Sequence, residues 1–241
     1  MQQFRFNATK WLALTLSSAL LVSSCKKSDN ATDNSVAITD EETVAAITDA
    51  TTSGGLTDQV SMMGVIVVPS KASISCGESK DTTIATSGTR TNVSYNYSLA
   101  LSRTIKCTNY IPSTLTLTYI GANSYSSTKM SSSDSANGSL IVTQLQPTYS
   151  SYIFNGSYER KGTQQSNVNL QRAITSDIQF TITSLTVDKT TNTILSGVAS
   201  VSFVGSTSGG SSSTRGATLT FNGNGQATLV LDNGNSYSIT F

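Results

Sequence analysis

Over much of the chain apolar residues fall at every second position, and that period decides the fold class. Val93, Tyr95, Tyr97, Leu99 and Leu101 alternate with Ser, Asn and Ala, and Leu115, Leu117 and Tyr119 alternate with Thr. The rhythm returns at Tyr152, Phe154 and Tyr158, at Ile178, Phe180 and Ile182, at Ala217, Leu219 and Phe221, and at Tyr237, Ile239 and Phe241. A period of two puts one face of a strand in a core and the other in water, and a helix cannot use it. The wet face has ample material: 41 Ser and 36 Thr make up about a third of the 241 residues, and β-branched Thr suits a strand. With 37% hydrophobic and 12% charged residues, the chain has enough apolar side chains for a core.

Short polar connections separate the alternating runs. Asn222-Gly223-Asn224-Gly225 and Asp232-Asn233-Gly234-Asn235 are hairpin turns by chemistry, because Asn and Gly tolerate positive φ; Thr190-Thr191-Asn192 is a weaker third. Ser131 to Gly138 and Gly205 to Ser213 read as loops by composition, the second lengthening a hairpin with arms Gly197 to Val204 and Ala217 to Phe221. Thr39 followed by Glu42 has the spacing of a capping box. A helix from about Asp40 to Ala50 follows, with Val44, Ile47 and Ala50 on one face and Gly54-Gly55 as its stop. From residue 63 onward the expected period is two. The reading is all-β: an antiparallel meander forming a curved sheet, barrel or sandwich, with one short N-terminal helix in residues 36–55 and a β-rich domain over 56–241.

The amino terminus carries an address. Arg5 and Lys10 precede an apolar stretch from Trp11 to Val22, too short to span a bilayer, and Val22-Ser23-Ser24-Cys25 follows it. This sequence resembles the lipobox of bacterial lipoproteins. The resemblance implies that 1–24 is a signal peptide and that Cys25 is lipidated and becomes the first residue of the mature chain. Cys25-Lys26-Lys27-Ser28-Asp29 is also similar to the start of Bacteroidota lipoproteins, which implies outer-membrane anchoring and surface exposure. Residues 25–35 are polar and aperiodic, a flexible tether.

With Cys25 lipidated, Cys76 and Cys107 remain as a pair in a chain outside the reducing cytoplasm, and a disulfide is expected. The chain has no histidine, so Ser-His-Asp and Cys-His catalysis and imidazole metal sites are excluded. Fifteen basic against fourteen acidic residues leave no electrostatic footprint for nucleic acid. Glu78, Asp81, Asp134, Glu159, Asp177, Asp188 and Asp232 are scattered and read as solvated surface carboxylates. No metal site and no cofactor are expected.

Tyr95, Tyr97, Tyr152 and Tyr158 share the core phase of the alternation, whereas Tyr110, Tyr125 and Tyr149 fall near strand ends and are the candidates for an exposed contact. Asp81-Thr82-Thr83 and Asp134-Ser135-Ala136 resemble the acceptor motif of Bacteroidota O-glycosylation, which makes Thr82 and Ser135 candidate modification sites. The functional expectation is a non-enzymatic cell-envelope lipoprotein at the outer membrane. It would be bound to the membrane through its lipid and act as a ligand-binding or interaction module for an envelope protein or glycan. A carrier of lipid or another hydrophobic ligand, with a large apolar cavity, is one alternative. A glycan hydrolase built on two opposed carboxylates is the other.

Overall fold

The computed structural model describes residues 36–90, 92–168 and 171–241; Cys25 and the lipobox lie outside them. Among the described residues two helices come first, α1 (Asp40–Thr51) and α2 (Leu56–Ser73). Ten strands follow: β1 (Ser79–Arg90), β2 (Val93–Thr108), β3 (Ile111–Ser127), β4 (Met130–Thr143), β5 (Ser151–Ser166), β6 (Ala173–Asp188), β7 (Ile194–Thr207), β8 (Ser212–Gly223), β9 (Gln226–Leu231) and β10 (Ser236–Thr240). They form one open antiparallel sheet in strict chain order, with β1 and β10 as its edges. The expected meander is therefore a single sheet, neither closed into a barrel nor split into a sandwich.

The alternation sorts side chains as the sequence pattern requires. One inward row runs Leu101, Tyr119, Gly138, Tyr158, Phe180, Val201, Ala217, Leu231 across eight strands, each opposite the next in register. Gly138 is needed there, because a Cβ would lie 2.3 Å from Cζ of the Tyr119 ring. Tyr158 and Phe180 then stack with centroids 5.5 Å apart. Register shifts interrupt the β2–β3, β5–β6, β6–β7 and β8–β9 ladders, and such bulges bend a strand and add twist.

The helices occupy the inner face. α1 starts on the expected box: Thr39 Oγ1 accepts from the Glu42 N–H, and the Thr39 N–H donates to Glu42 Oε2. Ala46, Ile47 and Ala50 of α1, with Leu56, Val60, Met63 and Val67 of α2, join the strand residues in one continuous core. Gly54, between the helices, has φ +67° and lies against the Tyr95 and Tyr97 rings, where a side chain would collide.

Three expectations are corrected. The β-rich span does not begin at 56, because α2 runs to Ser73. Val60, Val65, Ile66, Val67 and Val68 are apolar all round and β-branched, and Gly64 and Pro69 read as breakers, so no helical stripe stands out. Pro69 is tolerated where α2 is exposed; it removes the bond to the carbonyl of Val65, a residue 58% exposed. Ser131 to Gly138 is not a loop but the body of β4, since neighbours on both sides supply a full ladder to a segment whose composition alone favours turns. Gly205 to Ser213 is mostly strand as well, with residues 208–211 as the turn. Gly77 to Arg90, polar and unassigned by pattern, contains β1.

Antiparallel order places successive turns at opposite ends. The near end holds the β3–β4 and β5–β6 turns and the point where the chain enters the fold: Arg172, just before β6, donates to the Val36 and Ala37 carbonyls. The far end holds the disulfide and the β2–β3, β4–β5 and β6–β7 turns. The 16 residues of β6 separate the two ends by roughly 50 Å at about 3.3 Å per residue.

Candidate functional site

At the near end, α1 leans over the β3–β4 turn and β10, leaving a crevice of about 670 Å³. Val44, Thr48 and Asp49 form one wall; Val93, Lys129 and Tyr237 face them. Asp49 is 7% exposed. Burial is the main effect on its carboxyl and pushes the pKa up to about 7, although the Arg160 charge and the Ser127 hydroxyl, 3.5 Å away, pull the other way. An acid poised near neutrality in a cleft is an ordinary mark of a binding or proton-handling site. Glu41 also lines the crevice, but it stands eight residues from Asp49 on one helix, a rise of about 12 Å, beyond the roughly 5–10 Å of a hydrolytic carboxylate pair.

Below Asp49 lies a buried polar network. Arg160 Nε donates to Asp134 Oδ2 at 2.7 Å, Ser132 Oγ lies 2.6 Å from the same oxygen, and Gln164 Nε2 is 3.3 Å from Oδ1. The Arg160 guanidinium also donates to the Asp49 carbonyl and lies 4.8 Å over the Tyr125 ring. A second buried pair, Arg172 with Glu42 at 2.9 Å, locks the start of α1. Burial raises the Glu42 carboxyl, but Arg172 and the Thr39 N–H outweigh it and hold the pKa below the usual value.

The predicted residues are spread over the molecule. Cys76 and Cys107 form a disulfide, Cα atoms 5.5 Å apart, tying the segment before β1 to the end of β2. Ser135 is exposed on the outer face of β4, while its neighbours Asp134 and Ala136 are buried on the inner face. Thr82 is half-buried on the inner face of β1, with Asp81 and Thr83 exposed. Tyr110, 96% exposed, and Tyr149, 47% exposed, stand on far-end turns. Tyr125 does not join them: it is 4% exposed, because β3 continues past it to Ser127 and keeps it on the inward phase beneath Arg160. Asp134 is likewise no surface carboxylate. Among the described residues no group of three or more His, Cys, Asp or Glu is placed to hold a metal ion, and no helix is long and apolar enough to cross a membrane.

Sequence reasoning missed Asp49, Asp134 and Arg160 as a group. The usable signal was phase: Asp134 keeps step with Ala136, Leu140 and Val142, and Arg160 with Tyr158, so each charge sits where an apolar residue is due. The far end has a second feature. Lys71 Nζ donates to the Leu145 carbonyl and Lys189 Nζ to the Gln146 carbonyl, and Lys189 lies 4.8 Å over Tyr152 and 5.8 Å over Tyr149. Burial and then the Lys71 charge lower the Lys189 pKa. Comparison with protein-family models, with curated proteins and with solved structures finds no match.

Proposed function

We propose that the protein is a non-enzymatic lipoprotein of the cell envelope, lipidated at Cys25 and held at the outer membrane, whose folded domain is an interaction module for an envelope protein or glycan. The observation that carries this reading is the occupied inner face. A carrier needs an apolar chamber, and the place for one is taken by Leu56, Val60, Met63 and Val67 of α2. Exposed aromatic surface lies instead at the far end, where Tyr110 and Ile111 protrude on one turn and Tyr149 on another, beside Lys189. Val36, the first described residue, lies at the opposite, near end against Arg172. Aromatic side chains with an apolar body and a polar tip are the usual contact groups of such surfaces.

Site-specific photocrosslinking in intact cells tests the reading. A photoreactive residue at Tyr110 or Tyr149 is expected to give one discrete adduct to an envelope protein or glycan, and one at Ser200 on the outer face none. Absence of any far-end adduct, or recovery of stoichiometric lipid from the purified protein by organic extraction, would overturn it.

A further inference from the structure

The two edges of the sheet differ. β10 is five residues long, the short edge that resists pairing, whereas β1 runs for 12 residues with no proline. Which groups β1 leaves open follows from its start. Gly77 N donates to the Ile105 carbonyl, and Ile105 N donates to the Glu78 carbonyl. Continuing in register through Lys80 opposite Arg103, the even-numbered residues of β1 bond to β2. The N–H and C=O groups of Ser79, Asp81, Thr83, Ala85, Ser87 and Thr89 therefore point away from the sheet, and among the described residues no further strand pairs with them. The inner side of this edge is also incompletely covered. Thr82, Ile84 and Thr86 are half-buried, and Ile84, like Met62 and Ile66 of α2, packs only partly buried against the core.

We propose that β1 pairs antiparallel with the same strand of a second copy of the chain, Ile84 standing opposite Ile84 of the partner subunit. A two-fold axis normal to the sheet keeps inner faces together only if paired residue numbers add to an even sum. The sum 168 sets Ile84 on its own copy and Thr82 opposite the partner's Thr86. It also joins the outward groups of Thr83 to those of the partner's Ala85. The sum 170 would set Ile84 opposite the partner's Thr86, and 172 would leave it opposite a glycine. Apolar matching selects the first register.

The full chain, purified in detergent from its membrane, tests this by sedimentation and cysteine crosslinking. Wild type is expected at twice the monomer mass, and Thr83→Pro at the monomer mass with its melting temperature kept, because that N–H bonds nothing inside the monomer. In native membranes Ile84→Cys should form an intermolecular disulfide. Thr82→Cys, on the same face but about 13 Å from its own copy in this register, should not. A monomer at all concentrations, a dimer that survives Thr83→Pro, or equal crosslinking at positions 82 and 84 would overturn the proposal. If Thr83→Pro fails to fold, the cysteine pair alone decides.

Discussion

Arg160 and Asp134 form an ion pair at 2.7 Å with side chains 1% and 0% exposed, on the inner face below the Asp49 carbonyl. Such a pair gains little over apolar packing, but removing one partner strands a charge. Asp134→Ala is expected to destabilise the fold by about 3–5 kcal/mol. The joint replacement Asp134→Leu with Arg160→Met should recover most of that loss. Urea unfolding of wild type and the two variants checks the order; Asp134→Ala as stable as wild type would show the pair to be solvated.

Asp49 should give the stability curve an unusual slope. Its folded pKa, about 7, stands above the ordinary carboxyl value of 3.8, so the folded state holds its proton more tightly than the unfolded one. The stability this contributes is complete below pH 3.8 and is lost as pH rises to about 7, on the order of 4 kcal/mol at 1.36 kcal/mol per unit. Asp49→Asn should remove the slope and be the more stable form at pH 8. Melting temperatures from pH 4 to 8 test it, and parallel curves for both proteins would contradict it. Glu42, held below its usual value by Arg172, acts with the opposite sign at the acid end.

The Cys76–Cys107 crosslink closes a loop across 31 positions of sequence, worth roughly 3–4 kcal/mol in the chain-entropy model. Cys76→Ser with Cys107→Ser should unfold at lower urea by about that free energy while keeping the β signature in circular dichroism. Equal midpoints for wild type and the double variant would remove the disulfide from the account.

Truncation after Asn235 removes β10, and with it buried Ile239 and half-buried Tyr237 and Phe241. Phe241 packs edge-on to Phe221 at 5.9 Å. A fully buried side chain of this kind is worth about 1.5–3 kcal/mol, and the three together are a large part of the roughly 5–15 kcal/mol that holds a domain. Calorimetry should show the truncated chain melting far below wild type or without cooperativity. A cooperative transition at the wild-type temperature would place β10 outside the core.

The strands that could be read in advance were those whose local signals agree. Phe221, Leu229, Leu231 and Ile239 are buried in the expected phase, and the turns Asn222–Gly225 and Asp232–Asn235 fall where Asn and Gly permit positive φ. β4 and β1 were hidden because Ser and Thr dominate them and only their neighbours make them strands. α2 was hidden for the opposite reason: it is buried on one side and apolar on the other, which erases the stripe that marks a helix. The Asp49, Asp134 and Arg160 cluster joins α1 to β4 and β5, residues 111 apart in the case of Arg160 and the Asp49 carbonyl. No local pattern carries a contact of that range.

Native mass spectrometry of the protein released from its own envelope tests the central claim most directly, since one spectrum reads both the covalent anchor and any retained ligand. The predicted species is the chain from Cys25 to Phe241 carrying covalent acyl groups, with no lipid bound non-covalently in stoichiometric amount. An unacylated chain, or an acylated chain that holds one lipid per copy within the fold, would contradict it.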